Sequence, residues 1–190
     1  MATPPQPDAS TIAHAIERLA SSIVARHAAT PRLLLLGIAN GGIILADRLA
    51  LRLRKSGLKP GVGTIDISFH RDDIGANPVP KESTPTLIPH DVNDAAVILV
   101  DDVLHSGRTV KAALDELFDH GRPARVELAV LVDRGGRKLP FAADYCGLTI
   151  EAAGREKVVV HLDAIHPADD LISVQPPTSV HRSSPEPKTS

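Results

Sequence analysis

The stretch VILVDDVLHSGRTVKAAL, residues 97–114, decides the fold class of this chain. Four apolar residues run into two adjacent acids, Asp101 and Asp102, and a Ser-Gly-Arg-Thr turn then leads into a helical pattern. An uninterrupted apolar run is typical of a strand that is buried on both faces of a parallel sheet. The acids then lie at the carboxyl end of that strand, where open α/β sheets bind their ligands.

The turn after the acids predicts a phosphate site. The helix that follows leaves its first backbone N–H groups without intrahelical partners. Those amides, with the hydroxyls of Ser106 and Thr109, form a cradle for a phosphate, and Gly107 lets the backbone approach it closely. The acids suit hydroxyl groups or hydrated Mg²⁺, because like charges repel a phosphate. A ribose 5-phosphate, with its phosphate and its diol, satisfies both halves.

Two simpler interpretations explain less of this pattern. A strand that ends in acids also describes the Mg²⁺-binding segment of P-loop NTPases, but their G-x-x-x-x-G-K-[ST] motif is absent from the sequence. An ordinary capped helix start accounts for the turn alone. It does not account for the turn together with the acids.

Composition predicts one α/β domain whose sheet is mostly parallel, twisted and flanked by helices. The 190 residues are 43% hydrophobic, which is enough for a single core, and only 2% are aromatic, so that core must consist of Val, Ile, Leu and Ala. A formal charge of −2 gives no basic field that would indicate a nucleic-acid-binding protein. The single cysteine, Cys146, excludes an intramolecular disulfide and is expected to be a small core residue.

The ordered domain is predicted to span residues 10–174, between disordered ends at 1–9 and 175–190. It opens with an amphipathic helix from Ser10, the expected N-cap, to His27. A flexible loop is predicted at about 74–90, because residues 75–90 contain four prolines and no sustained period.

The segment GTIDISFHRDD, residues 63–73, has the alternation of a half-buried strand near a sheet edge. Ile65, Ile67 and Phe69 are expected to face inward, against polar neighbours. The sequence has no basic-then-apolar leader and no long apolar run, so a membrane location is not supported and a cytoplasmic one is expected.

At this point the sequence resembles a known family. Residues 97–109 are similar to the phosphoribosyl pyrophosphate (PRPP) motif of type I phosphoribosyltransferases, and the resemblance is nearest to the PyrR family of pyrimidine operon attenuators that are also uracil phosphoribosyltransferases. GIANGGI, residues 37–43, matches the pyrophosphate loop, and 75–90 the flexible loop. Residues 121–147 resemble the hood region, and REKVVVHL, 155–162, the closing strand. The implied fold is the type I phosphoribosyltransferase fold with a small hood.

The resemblance also implies a set of site residues. Asp101 and Asp102 would be the catalytic pair that binds the ribose hydroxyls, and Arg137 would lie near the nucleobase or nucleotide. The implied substrate-binding residues are Ala39, Asn40, Gly41, Val103, Leu104, His105, Ser106, Gly107, Arg108, Thr109, Arg137 and Val160. No metal held by the protein alone is expected; Mg²⁺, the implied cofactor, would be held mainly through PRPP, with Asp101 and Asp102.

Two positions depart from the family pattern. Family members often carry a cation just before the Asn40 position, whereas this chain has Ala39, so backbone amides and Mg²⁺ would carry more of the pyrophosphate charge. His105 stands where relatives often have tyrosine. It is either a solvated loop histidine or a contact to the base that titrates near neutrality.

The implied reaction converts uracil and PRPP to UMP and pyrophosphate, and the family also regulates pyrimidine genes through operon mRNA in response to UMP. Relatives assemble as dimers or larger oligomers, so a homo-oligomer is expected. Two alternatives stay open: a UMP-sensing mRNA-binding attenuator with little catalysis, and a type I transferase for another base, such as a purine or orotate. The basic run RLALRLRKSGLK, residues 48–59, is interpreted first as a solvated helix face and second as a phosphate-binding patch.

Overall fold

The strands and helices alternate along the chain in the order that the sequence predicts. The computed structural model describes residues 6–39, 41–68, 85–154 and 156–176. Its elements are α1 (Ala9–His27), β1 (Leu33–Ile38), α2 (Gly41–Lys55), β2 (Gly61–Ile65), β3 (Ala96–Leu104), α3 (Arg108–Asp119), β4 (Arg125–Asp133), β5 (Tyr145–Thr149), β6 (Lys157–His161), a short 3₁₀ helix (Pro167–Asp169) and β7 (Leu171–Gln175).

Five of these strands form one parallel sheet in the order β2-β1-β3-β4-β5. The apolar strand β3 lies at its centre, which confirms the prediction of a mostly parallel sheet. The strands β6 and β7 pair with each other, antiparallel, as a separate two-stranded ribbon. The small hood that the resemblance implies stays a prediction.

Helices cover both faces of the main sheet, because its inner strands are apolar on both sides. In β1, Leu33 and Leu35 join the hydrophobic cluster formed with α1 and α2. Leu34 and Leu36, which point the other way, join the cluster on the α3 face. This two-sided burial leaves the ends of the strands as the places where polar side chains meet solvent.

The segment assigned to the hood by resemblance, residues 121–147, belongs to the main sheet instead. It contains β4 and the start of β5, and β4 pairs with β3 from Arg125 to Asp133. The reason lies in the sequence VELAVLV, which is apolar enough to be buried on both faces. The closing strand, β6, in turn pairs with β7 and not with the sheet.

Two smaller predictions were also wrong. The helix α1 starts at Ala9, and its N-cap is Asp8, whose side chain accepts a hydrogen bond from Thr11 N, so Ser10 lies inside the helix. Cys146 is exposed. It lies on the edge strand β5, where alternate residues point to opposite faces, and its neighbours Tyr145 and Gly147 take the buried positions.

The strand β2 is an edge strand, as predicted, but the alternation fails beyond it. Asp66 and Ser68 are buried and Ile67 is only partly so, because Ser68 donates from both its backbone N and its hydroxyl to Asp66 Oδ1, at 2.9 and 2.5 Å. Phe69 lies outside the described residues.

Most of the predicted flexible loop, residues 69–84, also lies outside the described residues. The returning end runs beside β2, where Thr64 and Leu87 form an antiparallel bridge. The predicted disordered ends fall largely on residues 1–5 and 177–190, which the structure does not describe either. A lid function for the loop stays a prediction. In the described ranges, no helix is long and apolar enough to cross a membrane.

A buried polar network binds α1 to the sheet near the amino ends of the strands, whereas the acids lie toward the carboxyl ends. His27 Nε2 lies 2.8 Å from Glu127 Oε2, and the hydroxyl of Tyr145 donates to the same oxygen at 2.8 Å. Arg125 donates to the other carboxylate oxygen at 3.0 Å. Burial opposes the charged form of Glu127, but the hydrogen bonds from Tyr145, His27 and Arg125 outweigh it and lower the pKa of this carboxyl.

We predict that Glu127→Gln destabilises the fold by about 2 kcal/mol at neutral pH, because it removes charge-assisted hydrogen bonds from a buried group. A carboxyl whose pKa is lower in the folded state stabilises the fold above its ordinary pKa of 4.5, and that stability is lost as the pH falls through the folded value. The difference between wild type and variant should therefore shrink below that pH. Urea unfolding at neutral and acidic pH measures it, and an equal difference at both would contradict the assignment.

Candidate active site

The two predicted acids lie within β3, not after it. The strand continues through Leu104, because β4 is long enough to pair with it up to Asp133. Asp101 pairs with Val130 inside this ladder, so its backbone position is fixed by hydrogen bonds on the β4 side. The acids are consequently held by a central strand of the sheet, which is the most rigid support that the fold offers.

Asp101 is buried, and Asp102 is half-buried beside it. The backbone N of Asp102 donates to Asp101 Oδ1 at 3.0 Å. Burial, and next the negative charge of Asp102, raise the pKa of Asp101 well above its ordinary value. Burial also raises the pKa of Asp102. Two adjacent carboxyls of this kind favour a partner that supplies protons or positive charge.

The carboxylate of Asp102 lies against the first residue of α2. A Cβ on Gly41 would lie 2.1 Å from Asp102 Oδ2, and one on Gly42 would lie 2.0 Å from the carbonyl oxygen of Val100. Only glycines let the amino end of α2 come this close to β3. The predicted pyrophosphate loop and the predicted acids therefore meet. Asn40 lies outside the described residues, and Ala39 N donates to Ile65 O at 2.9 Å.

The predicted phosphate cradle follows the acids directly. Gly107, with a φ of +89°, is the N-cap of α3 and offers no side chain to the exposed amides of the first turn. Ser106 Oγ accepts from Arg108 N at 3.3 Å, and Thr109 is half-buried in the first turn of α3. A Cβ on Gly107 would lie 2.9 Å from the ring of Phe141, so the turn is packed on its outer side. Phe141 therefore closes one side of the cradle.

Arg137 bonds to other groups of the protein. Its guanidinium donates to the carbonyl oxygens of His105 at 2.8 Å and Phe141 at 2.9 Å, and it pairs with Asp133 at 2.5 Å. A further bond reaches Leu104 O at 3.2 Å. These contacts use the guanidinium to tie the turn after β4 to the loop after β3. Its predicted place near the nucleobase or nucleotide stays a prediction, and the contacts show that it clamps the loop of the cradle.

Arg134 is the cation that sequence reasoning missed. It is 7% exposed, and its Nε has no hydrogen-bond partner. Within the part of the chain that the structure describes, no carboxylate pairs with it; its Nη2 donates to the carbonyl oxygens of Gly154 and Glu156. The sequence did contain a signal for it. Arg134 comes directly after the apolar strand β4, just as the acids come directly after the apolar run in β3.

His105 and Arg134 border a small niche at Gly136. A Cβ on Gly136 would lie 2.9 Å from His105 Nε2 and 3.4 Å from Arg134 Nη1. Partial burial, and then the positive charges of Arg134, Arg137 and Lys138, lower the pKa of His105. The lowered pKa favours the neutral form of the His105 imidazole.

The remaining predicted residues are mainly structural. Leu104 is buried in the α3-side cluster, and Val103 packs against the cluster on the other face. Val160 lies in β6, opposite Ile172, and packs against that same cluster. Asp163, His166 and Asp169, a three-residue spacing that the sequence analysis did not single out, bring ligand atoms within 4.8 Å of one another in the loop between β6 and β7. They are half-buried or exposed.

Comparison with known proteins identifies the family. Residues 8–164 match the phosphoribosyl transferase domain family. The chain is 44% identical over 172 residues to the Bifunctional protein PyrR of Listeria monocytogenes, a match that covers 88% of this chain and 93% of the relative. It belongs to the PyrR family of phosphoribosyltransferases. The Bifunctional protein PyrR of Bacillus subtilis is 43% identical over 173 residues, with the same coverage of 88% and 93%.

The fold agrees with this membership. The hypoxanthine phosphoribosyltransferase of Trypanosoma cruzi superposes with a TM-score of 0.66 at 21% identity, over 90% of this chain and 94% of that one. This likeness concerns the fold alone. The resemblance found from the sequence motif is confirmed, and the chain is a phosphoribosyltransferase.

We predict that Gly41→Ala in this phosphoribosyltransferase lowers kcat/KM about a hundredfold, because the new Cβ displaces the Asp102 carboxylate from its place beside α2. Alanine suits a helix better than glycine, so helix content should not fall. Steady-state kinetics and circular dichroism measure the two effects. Ser56→Ala, just beyond the other end of α2, is the matched control. Wild-type kinetics in the Gly41 variant would contradict the close approach.

We predict that Arg137→Lys raises KM for PRPP about tenfold, because one ammonium cannot replace a fork that joins several carbonyl oxygens to Asp133. Arg122 offers a matched control, since its guanidinium also binds carbonyl oxygens, those of Phe118 and Gly121, but at the far end of α3. Arg122→Lys should keep the wild-type KM. Equal effects of the two substitutions would show that Arg137 has no special role at the cradle.

Proposed function

We propose that this phosphoribosyltransferase transfers ribose 5-phosphate from PRPP to uracil. The bond between C1′ and the pyrophosphate oxygen breaks, a bond from C1′ to N1 of uracil forms, uracil loses its N1 proton, and the products are UMP and pyrophosphate. The observation that carries the proposal is the position of Asp102, which lies between the start of α2 and the open turn that leads into α3.

Each part of PRPP has a matching part of this site. The 5-phosphate suits the amides at the start of α3, around Gly107. The two ribose hydroxyls suit the carboxylates of Asp101 and Asp102, which accept hydrogen bonds. The pyrophosphate suits the amino end of α2, which begins at Gly41. Because Ala39 supplies no cation, the backbone dipoles carry that task in this chain.

Arg134 and His105 suit the base. Uracil presents two exocyclic carbonyl oxygens, which are acceptors, and the buried Arg134 has an unused donor at Nε. Neutral His105 can donate or accept one further hydrogen bond at the niche beside Gly136. Uracil specificity is supported by this chemistry and by the names of the relatives.

The donor set also fits Mg²⁺. Asp101 and Asp102 are adjacent carboxyls whose pKa values are raised chiefly by burial, and a hydrated divalent cation beside them would favour their ionised forms. When bound with PRPP, Mg²⁺ supplies positive charge to the departing pyrophosphate. The residues of the chain orient the sugar and shield it from water, and no nucleophile from the protein is required, because the transition state resembles a cation at C1′.

We predict that wild-type protein with PRPP and Mg²⁺ turns over uracil, and that Asp102→Asn loses about a hundredfold in kcat/KM, because an amide binds the ribose hydroxyls and the metal less well. Hypoxanthine and orotate are assayed in parallel, since they represent the rival specificities. The matched control is Asp115→Asn, an exposed acid on α3 that pairs with Lys111. Equal activity in wild type and Asp102→Asn would remove the acids from the mechanism, and turnover of hypoxanthine alone would assign a purine enzyme.

A regulatory role on pyrimidine-operon mRNA rests on the relatives' name, which calls them bifunctional. In this chain the basic run at residues 48–59 is largely engaged within the protein. Arg48 pairs with Asp170, Arg52 with Glu17, and Arg54 donates to Pro60 O. These contacts favour the interpretation as a helix face over that as a phosphate-binding patch. Homo-oligomer assembly stays a prediction.

A further inference from the structure

Arg48 and Asp170 form a buried ion pair outside the PRPP cradle. The guanidinium binds the carboxylate through two bonds, Nη1 to Oδ2 at 2.5 Å and Nη2 to Oδ1 at 2.9 Å. The side chain of Asp170 is 1% exposed and that of Arg48 is 13% exposed. Arginine and carboxylate in this two-bond geometry define both distance and orientation, which a single contact does not.

The pair also fixes the loop between β6 and β7. Arg48 Nη2 donates to the carbonyl oxygen of Asp163, and Asp163 N donates to Asp170 Oδ1 at 3.0 Å. The Asp163 carboxylate in turn accepts from the backbone of Ile165 at 2.8 Å. Arg48 itself binds both Asp163 and Asp170, so a single side chain of α2 holds both ends of the loop.

The two elements joined by this pair both belong to the proposed nucleotide site. Arg48 lies on α2, whose first residue, Gly41, adjoins Asp102. Asp170 immediately precedes β7, and β7 pairs with β6. The strand β6 packs beside β3, and Val160 of β6 joins the same hydrophobic cluster as Val103 of β3. The position of β6 relative to the acids therefore depends on how the ribbon β6–β7 sits on α2.

We propose that Arg48 and Asp170 are positioning residues that set the ribbon β6–β7 at one fixed place beside β3, and thereby shape the base side of the site. The proposal rests on the function proposed above, because it assumes that a base binds there. Arg134 also donates to the carbonyl oxygens of Gly154 and Glu156, just before β6. The other attachment seen in the described residues is apolar: Val158, Leu162 and Ile172 enter the cluster shared with α1 and α2. Apolar packing is not directional, whereas a two-bond ion pair selects one arrangement.

The experiment compares Arg48→Met, Asp170→Asn and the double variant Arg48→Met/Asp170→Leu with wild type. The double variant removes both buried charges and replaces them with apolar volume, which often restores stability. We expect all three to raise KM for the base about tenfold while KM for PRPP stays unchanged, because the cradle is not touched. The double variant should regain the Tm of wild type without regaining its KM.

The matched control is Arg52→Met, one turn further along α2. Arg52 pairs with Glu17, whose side chain is 64% exposed, so this variant should keep wild-type kinetics and Tm. If the double variant regained both Tm and KM, the pair would be a stability element only, and the proposal would fail. An equal rise of KM in Arg52→Met would also overturn it.

Hydrogen exchange of residues 157–161 and 171–175 separates this proposal from the function itself. We expect faster exchange in the single and double variants than in wild type, whatever base is used. If wild type turned over no base, the proposed function would fail. Hydrogen exchange in the ribbon would then be the remaining test of whether the Arg48–Asp170 pair fixes its position. Exchange in the ribbon that matched wild type in all variants would overturn it.

Discussion

The site depends on a direct contact between the backbone at the start of α2 and the backbone near the end of β3. No side chain separates the two elements at Gly42, where a Cβ would lie 2.0 Å from the carbonyl oxygen of Val100. The helix amino end, which carries partial positive charge, is therefore brought beside the Asp102 carboxylate. An ordinary residue at either glycine would force the helix away from the strand. The groups proposed to bind pyrophosphate and ribose would then no longer face one ligand.

The polar groups at the amino ends of the strands have more hydrogen-bond partners than those at the carboxyl ends. At the amino ends, both carboxylate oxygens of Glu127 have hydrogen-bond partners, and His27 and Tyr145 are among these partners. At the carboxyl ends, burial and the charge of Asp102 raise the pKa of Asp101, and the Nε donor of Arg134 has no hydrogen-bond partner. Unsatisfied groups of this kind cost stability, and proteins keep them where a ligand completes them. This difference between the two ends of the strands favours a ligand site at the carboxyl ends, and it does not depend on any sequence motif.

Local patterns in the sequence were sufficient for the elements that local physics determines. The apolar run before Asp101 predicted the central strand, and Ser106 to Thr109 predicted the start of α3 to within one residue. The prediction failed where the outcome depends on pairing between distant segments. Cys146 is exposed because β5 is the last strand of the sheet, and no local pattern fixes the position of a strand within a sheet.

The same limit applies to charged side chains near the site. The resemblance placed Arg137 near the nucleobase or nucleotide but did not predict that its guanidinium binds Asp133 and carbonyl oxygens of the neighbouring loop. Which of two nearby arginines faces a ligand depends on the path of the turn between them. Sequence spacing alone does not contain that path. Arg134, three residues earlier, takes the buried position instead.

The turn that separates these arginines explains how one fold can serve different bases. Gly135 and Gly136 both have a φ of +72°, a left-handed conformation that side chains rarely adopt. Through this conformation the chain leaves β4, keeps Arg134 beside His105, and sends Arg137 back to clamp the phosphate cradle. The phosphate end of the site is thus built on strands and helix starts, and the base end on a glycine turn and the ribbon. In the function proposed above, the base is bound at the turn and the ribbon, and Arg137 links this turn to the phosphate cradle.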